Sequence, residues 1–255
     1  SAAESERATR QLRDAGLLDV GPDGADVGHP VVGEVANDRL PEARSTEVHA
    51  AWLAVGGHLF DAAERARLTV GAGAVVEARR AVDTLVEAAD RAGTASARNA
   101  ELAWIEHAVR RSRELSGVDG ARRLVELLLR LARVLDGRPI EAGAAALEAV
   151  EVATLHGLWE LAVTATLSRA RSQMWSTSDD DVLALCRSAV EIGARADPQT
   201  HLVALEGACR ITALLGRPAE EVAAATAAAY EAAAALGLER RGEVMRSMSL
   251  LTTNP

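Results

Sequence analysis

The chain has 255 residues, of which 49% are apolar and only 2% aromatic. This composition can fill a core, and the scarcity of aromatic and β-branched runs argues against a sheet-dominated sandwich or barrel. All 28 basic residues are arginine, so a P-loop lysine, a Schiff-base lysine and a Ser-Lys dyad are excluded within the chain. The net charge of −9 disfavours sequence-independent binding to a phosphate backbone.

The cysteines and the apolar runs indicate the compartment. Cys186 and Cys209 have no CxxC or Cys/His spacing, which argues against structural zinc and predicts core thiols in a reducing environment. No signal sequence opens the chain, and the longest apolar run, residues 222–236, contains Glu231 and is mostly alanine. We therefore expect a cytoplasmic protein without membrane contact, in which residues 222–236 form a tightly packed interior helix.

The first part of the chain predicts helices around a hairpin. Residues 4–15 have helical spacing, and the apolar segments on either side of Gly21-Pro22-Asp23-Gly24 predict two strands joined by a turn. Pro30 suits the first turn of a helix reaching about Leu40, and Pro41 starts another reaching about Val55. Helix, hairpin and helix in this order are typical of a winged helix. We assign residues 1–56 to a partial winged-helix segment.

The remaining chain repeats. Helix starts with Pro or Ser and first-turn carboxylates follow one another at spacings of 39 and 40 residues, at 137–141, 176–180 and 216–220. A second series, near Gly120, Leu158, Pro198 and Leu238, alternates with the first at steps of 38, 40 and 40. Interleaved series with one period predict a stacked helix-pair solenoid, slightly longer per unit than the tetratricopeptide repeat of about 34 residues. Residues 57–255 are therefore predicted to be an all-α, TPR-like superhelix.

Several residues of the solenoid are candidates for its groove. The helix at residues 121–135 carries a polar stripe, formed by Arg122, Glu126, Arg130 and Arg133. Three tryptophans are predicted to pack between helices, namely Trp104, Trp159 and Trp175. On the inner surface we single out Glu206 and Arg210, spaced i and i+4, together with Trp159. The alternative for Glu206 and Arg210 is an ordinary ion pair on a helix surface.

Patterns for catalysis are weak. Residues 68–76 carry the Gly71-x-Gly73 spacing of a dinucleotide fingerprint, but the third small position is Val76 and the segment before Asp90 is helical in period. We predict a glycine-rich turn between helices. The six histidines form no HExxH pair, and no GxSxG elbow is present. We therefore expect no enzyme, no metal site and no cofactor within this chain.

The amino-terminal motifs resemble a known family. They comprise residues 11–18, the hairpin, His29-Pro30-Val31-Val32-Gly33-Glu34-Val35, Arg39-Leu40-Pro41-Glu42-Ala43-Arg44 and His49. This series resembles the winged helix of the large ATP-binding LuxR-type regulators, the MalT-like (STAND-type) signal-transduction ATPases. The resemblance implies an upstream module that binds ATP or ADP, a helical-repeat sensor and a closing helix-turn-helix. It assigns a nucleotide-phosphate contact to His29, for which a purely structural role is the alternative.

The resemblance implies a non-enzymatic sensor and protein-interaction domain used in transcription regulation. Its groove would bind a small-molecule inducer or a protein partner, homo-oligomers are possible, and this segment would make no direct DNA contact. The alternative is a stand-alone TPR-like adaptor that binds a peptide or a protein. A third class, a winged-helix DNA reader, would use Arg7, Arg10 and Arg13, which are offset by nearby acids.

Overall fold

The chain folds into two compact units. The structure, a computed structural model, describes residues 7, 10, 14, 18–21, 24–27, 41–238 and 240–241. Its units are Ser1–Val76 and Glu77–Pro255. This division lies later than the boundary expected after residue 56, because the helix that follows Gly57 packs on the helix before it.

The first unit contains the predicted hairpin. Strands β1 (Leu18–Gly21) and β2 (Gly24–Val27) pair antiparallel, with Leu18 opposite Val27 and Gly21 opposite Gly24. The glycines at the turn end of both strands match the turn chemistry expected from the sequence. The hairpin is thus confirmed, whereas the helix predicted from Pro30 to Leu40 lies outside the described residues.

Two helices complete the described part of this unit. Helix α1 (Glu42–Gly56) begins directly after Pro41, as predicted. Helix α2 (Ala62–Ala72) begins with a capping box in which Asp61 and Glu64 each accept the other's backbone N–H. The segment that resembled a dinucleotide fingerprint continues α2 and ends in a short 3₁₀ turn at Gly73–Val75. It is therefore helix and turn, without the strand that a fingerprint requires.

The second unit is a succession of helices of similar length. Those described are α3 (Ala78–Thr94), α4 (Arg98–Ser112), α5 (Gly117–Val134), α6 (Pro139–Leu155), α7 (Trp159–Gln173), α8 (Asp179–Ala196), α9 (Pro198–Leu214) and α10 (Ala219–Ala235). Helices α6, α8 and α10 start at residues 139, 179 and 219, so the 40-residue period of the sequence is also the structural period. The predicted all-α helical-repeat fold is confirmed.

The helices form two layers. Each helix from α3 to α10 packs on its neighbours in the chain, and α5 also contacts α7, which in turn contacts α9. The contacts from α5 to α7 and from α7 to α9 place these three helices in one layer. We call α5, α7 and α9 the inner layer. Helix α3 lies beside α5, linked to it by two ion pairs.

Local chemistry sets where these helices begin and end. Ser178 accepts a hydrogen bond from the N–H of Asp181 at the start of α8, and Asp197 accepts the N–H groups of Gln199 and Thr200 at the start of α9. After α5, Gly137 has φ 90°, a left-handed conformation that glycine adopts without strain. These capped starts and glycine ends divide the apolar chain into separate helices.

Small side chains let the helices approach closely. The largest fully buried side chains are those of Leu85, Ile105, Leu128, Leu202, Val82, Val125, Val163, Val182 and Val222, and alanine supplies most of the remaining core. At one crossing, a Cβ on Gly207 of α9 would lie 2.3 Å from Cδ1 of Leu167 in α7. A larger residue at 207 would therefore require the Leu167 side chain to move.

Helix α10 differs from its prediction as a tightly packed interior helix. Its buried residues form one face, at Val222, Thr226, Ala229 and Ala233, while other positions along it are exposed. Spacings of four, three and four residues are those of a helix that packs on one side only. Alanine content alone could not distinguish a one-sided helix from one surrounded on all sides.

Among the described residues, no helix combines the length and apolar character that crossing a membrane requires.

Candidate functional site

Glu206, predicted on the groove surface, is instead a buried carboxylate. Its side chain is 5% exposed and accepts two hydrogen bonds from Arg241, at 2.6 Å from Nε and 2.7 Å from Nη2. The hydrogen bond to Glu206 raises the pKa of the Arg241 guanidinium. Glu206 therefore joins α9 to the helical residues that follow α10 and is not open to a ligand.

Arg210 is exposed, as its predicted position on the inner surface requires, and it lacks the ion pair that the alternative interpretation gave it. Within the described part of the chain, no hydrogen bond or ion pair engages its guanidinium, and Glu206 is held by Arg241 instead. The alternative interpretation of Glu206 and Arg210 as an i, i+4 ion pair is therefore wrong. The bidentate arrangement with Arg241 explains the preference, because two parallel hydrogen bonds orient a guanidinium against a carboxylate.

Trp159 lines a cavity at the amino-terminal ends of the inner layer. The cavity measures about 220 Å³ and is lined by Arg122, Gly157, Leu158, Trp159, Glu160, Leu161, Ala196, Asp197 and Thr200. The Trp159 residue is 40% exposed, so part of its surface is packed against neighbouring residues and part is accessible. This position is compatible with the groove role predicted for Trp159 and differs from the wedge between helices that was also expected.

A second cavity adjoins the first through Arg122. It measures about 250 Å³, and its lining comprises Arg79, Val82, Asp83, Leu115, Asp119, Arg122, Arg123 and Glu126. Arg122 is exposed and has no ion pair or side-chain hydrogen bond within the described residues. We call these two spaces the Arg122 cavities. They follow the amino-terminal ends of α3, α5, α7 and α9 in turn.

A third cavity is organised by hydrogen bonds and ion pairs among its lining residues. It measures about 660 Å³ and is lined by Ser96, Arg98, Glu101, Arg130, Arg133, Val134 and Asp136. Arg98 donates to the carbonyl oxygens of Val134 and Asp136, at 2.9 to 3.1 Å. Arg130 donates to Glu101 at 2.8 Å and pairs with Asp90. Most polar groups here already satisfy one another, so the space is less free for a ligand than its volume implies.

Arg130 is a structural arginine rather than a member of an open stripe. Its side chain is 19% exposed; burial opposes its charge, but the hydrogen bonds to Glu101 and Asp90 outweigh this and raise its pKa. Arg122, Glu126 and Arg133, the other members of the predicted stripe, are exposed. The sequence pattern identified the helix face but not the acidic partners that cover one part of it.

A regular offset in the sequence points to those partners. Arg123 lies 3.5 Å from Asp83, and Arg130 pairs with Asp90, so both pairs join residues 40 positions apart on α3 and α5. That offset is the repeat period already visible in the helix starts. Comparing charges one period apart along the sequence would therefore have identified both contacts.

The other tryptophans have different surroundings. Trp175, which was expected to pack between helices, is 86% exposed just after α7. Trp104 in α4 is partly buried, with its ring centroid 6.4 Å from that of His107. Burial and the neighbouring Arg110 lower the pKa of His107, which favours its neutral form. The wedge prediction is therefore wrong for Trp175.

Reactive groups are few in the described residues. Cys186 and Cys209 are buried, as predicted, and burial raises the pKa of Cys186 to about 11, which keeps it a thiol. Within the described ranges, no group of three or more His, Cys, Asp or Glu side chains is arranged to hold a metal ion. His29, for which the resemblance implies a nucleotide contact, lies outside the described residues.

Known proteins offer few matches to this chain. No protein-family model matches it, and no curated protein matches it. Solved structures similar to it include BtubC (BKLC) from P. vanneervenii, with 16% identity and a TM-score of 0.40 over 84% of this chain and 91% of that chain. The DHF58 filament is 15% identical, with a TM-score of 0.24 over 86% of this chain and 97% of that chain. The fold assignment rests on the helix arrangement of the chain itself.

Proposed function

We propose that this chain is a non-enzymatic sensor domain that binds a small ligand on the inner layer of its helical repeat. The observation that carries the proposal is the unpaired Arg122 shared by the two Arg122 cavities, with the partly exposed Trp159 beside it. An exposed arginine without a partner has little energetic cost in water, so its exposure alone needs no explanation. A cation that lines two adjoining cavities beside an indole is, however, suited to binding a ligand.

The chemistry of the Arg122 cavities favours a ligand with a negative charge and some apolar surface. Arg122 offers a guanidinium, and Trp159 offers the face or edge of its ring. Helix α7 begins at Trp159, and no described side chain caps its first N–H groups. Those amides and the positive end of the helix dipole add to the attraction for an anion. A phosphorylated or carboxylated small metabolite has these properties.

The resemblance of the amino-terminal motifs supplies the larger context of the proposal. In a LuxR-type regulator of the STAND class, this domain would lie in the cytoplasm, between a module that binds ATP or ADP and a DNA-binding helix-turn-helix. A ligand that prefers one curvature of the repeat, or one self-associated state, shifts the population of that state by its differential affinity. The neighbouring modules would then respond to that shift.

Thermal unfolding of the whole chain tests the ligand-binding role. We would measure the melting temperature with and without sugar phosphates and dicarboxylates, for the natural chain and for Arg122→Ala and Trp159→Ala. A stabilising compound is expected to lose its effect in both variants and to keep it in Arg195→Ala. Arg195 is a suitable control because it is exposed, has no partner among the described residues and lies on α8. Equal stabilisation of all four proteins would contradict the proposal.

The reading frame around these residues separates the sensor from a stand-alone adaptor. A P-loop upstream and a helix-turn-helix downstream would support the regulator. Stop codons close to both ends would support the adaptor and remove the nucleotide role from His29. Exposed arginines elsewhere on the inner layer favour keeping the adaptor as a second candidate.

A further inference from the structure

We propose that Arg133, Arg171 and Arg210 form a continuous row across the inner layer that binds an acidic segment of a partner protein. We call these residues the arginine row. The inference rests on the proposed function in that both use the inner layer as a binding surface. It concerns residues other than those that line the Arg122 cavities and a partner of a different size.

The first step is the alignment of α5 with α7. Arg122 of α5 and Glu160 of α7 line one cavity, so these positions lie side by side. Arg133 follows Arg122 by 11 residues, and Arg171 follows Glu160 by 11 residues. Eleven residues are about three turns of an α-helix, so Arg133 lies on the same helix face as Arg122, and Arg171 lies on the same face as Glu160. Arg133 and Arg171 are therefore neighbours across the two helices.

A separate contact aligns α7 with α9. Leu167 of α7 lies directly against Gly207 of α9. Arg171 follows Leu167 by four residues and Arg210 follows Gly207 by three, which is one turn in each case. Both helices thus place an arginine one turn beyond their point of closest approach. The three side chains occupy equivalent positions on successive helices of the inner layer.

None of the three is used to hold the fold together. Each is exposed, and within the described residues none of their guanidinium groups makes a hydrogen bond or an ion pair. Arg133 and Arg171 lie in the last turns of their helices, where the helix dipole favours a cation. That explanation does not extend to Arg210, which precedes the end of α9 by four residues. Three like charges in a row on a chain of net charge −9 call for an acidic partner.

Apolar side chains lie one turn beyond the arginines. Trp175 is 86% exposed and Leu214 is 61% exposed, four residues after Arg171 and Arg210 respectively. The helical path of α7 continues past Gln173, because the N–H of Thr177 donates to the Gln173 carbonyl oxygen at 3.1 Å. Trp175 therefore remains on the side of Arg171. A partner that combines carboxylates with apolar residues would contact both lines of side chains.

The spacing of the row matches a short peptide. Packed helices lie about 10 Å apart, so two steps across the inner layer span roughly 20 Å. A chain in the polyproline II conformation has three residues per turn and rises about 3.1 Å per residue, so carboxylates at every third residue lie on one face about 9 Å apart and would meet successive arginines. The phosphates of a nucleic acid would extend well beyond so short a row. Repulsion between those phosphates and the net negative charge of this protein would reduce the affinity. A peptide of limited charge fits better.

A labelled peptide tests the proposal directly. The probe is a fluorescein-labelled extended peptide with glutamate at every third position and leucine among the others, compared with the same peptide carrying glutamine for glutamate. We expect binding of the glutamate peptide only, a loss of about fivefold for each of Arg133→Ala, Arg171→Ala and Arg210→Ala, and roughly a hundredfold for the triple variant. The matched control, Arg195→Ala, should bind with unchanged affinity.

A second readout needs no substitution in the row. With 5-fluorotryptophan incorporated, the four tryptophans give separate ¹⁹F resonances that single Trp→Phe variants assign. The peptide should shift the resonance of Trp175 and leave that of Trp159 unchanged, whereas a metabolite in the Arg122 cavities should do the reverse. One spectrum thus distinguishes the failure of peptide binding at the arginine row from the failure of ligand binding in the Arg122 cavities.

Three results would overturn the proposal. The first is equal binding of the glutamate and glutamine peptides, and the second is an unchanged affinity in the triple variant. The third is tighter binding of oligo(dT) than of the glutamate peptide, lost in the triple variant, which would make the row a nucleic-acid site. A folding defect in the triple variant would leave the decision to the ¹⁹F shift of Trp175 in the natural sequence.

Discussion

The inner layer carries two kinds of arginine on the same helix faces. Arg123 and Arg130 of α5 meet Asp83 and Asp90 of α3 across one repeat period, and Arg130 also binds Glu101. The arginine row runs across α5, α7 and α9, and none of its guanidinium groups makes an ion pair among the described residues. Arg130 and Arg133 are three residues apart on one helix and fall into opposite groups.

The difference shows how a repeat distributes charge. A period of 40 residues places Asp opposite Arg between α3 and α5, and these charges join the two helices. The same architecture places Arg opposite Arg between α5, α7 and α9, where no ion pair among the described residues joins the helices. Charges that a repeat leaves unmatched are available to a partner, so the two groups should respond differently to substitution.

The largest effect on stability is expected where the carboxylate of an ion pair is most deeply buried. Arg241→Ala should lower the free energy of unfolding by about 2 kcal/mol, because it leaves the 5% exposed carboxylate of Glu206 charged and without a partner. Urea unfolding followed by far-UV circular dichroism measures this. Arg240→Ala is the matched control, since Arg240 is exposed and adjacent. An equal effect of the two substitutions would contradict the structural role of Arg241.

A smaller loss is expected where the carboxylate left without its partner is closer to water, as Glu101 is compared with Glu206. Arg130→Ala should cost about 1.5 kcal/mol, because Glu101 and Arg130 are each 19% exposed and lose their mutual hydrogen bonds. Arg133→Ala on the same helix serves as the comparison and should stay within about 0.5 kcal/mol of the natural chain. Equal losses at 130 and 133 would remove the distinction between the two groups.

The arginine row itself should be almost neutral for folding. Each of Arg171→Ala and Arg210→Ala should change the free energy of unfolding by less than about 0.5 kcal/mol, and their combination should be close to additive. Low salt should make the combined variant slightly more stable relative to the natural chain, since neighbouring like charges have been removed. Urea unfolding at low and high salt measures this. If Arg171 or Arg210 took part in an ion pair, its substitution would lower the free energy of unfolding more at low salt than at high salt.

Asp197 contrasts with both groups because its charge is satisfied within its own helix. Hydrogen bonds from the Thr200 side chain and from the N–H groups of Thr200 and Gln199 lower its pKa. Its stabilisation is therefore present above the ordinary pKa of an aspartate, near 4, and is lost as pH falls through the lower folded value. The melting temperature of Asp197→Ala should lie below that of the natural chain at pH 6, and the two should converge towards pH 2. A constant gap would contradict this account.

The fold could be predicted in large part because it repeats. Helix starts at residues 139, 179 and 219 and the hairpin at 18–27 follow from local rules, since Pro, Ser, Gly and acids act within one turn of where they stand. The packing of α10 on one face only was missed. Alanine fits both a surface and an interior, so its sequence pattern carries little information about burial.

The site was predicted less well because its contacts cross the repeat. Glu206 pairs with Arg241, 35 residues away, in place of Arg210 four residues away, and no local rule selects between them. Trp175 follows the last residue of α7, and its neighbours in the sequence did not show whether an indole there packs between helices or faces solvent. The exposed position of Arg210 was correctly anticipated, but its equivalence to Arg133 and Arg171 emerges only when the three helices are aligned in space.

The most direct test sets affinity against stability in two single variants. For Arg130→Ala and Arg171→Ala we would measure the dissociation constant of the glutamate peptide under conditions in which both proteins are folded, together with their free energies of unfolding. The account predicts that Arg130→Ala loses stability and retains its affinity, while Arg171→Ala retains stability and binds about fivefold more weakly. If affinity and stability fell together in both variants, or if Arg171→Ala bound as tightly as the natural chain, the division of the arginines into structural and binding groups would be wrong.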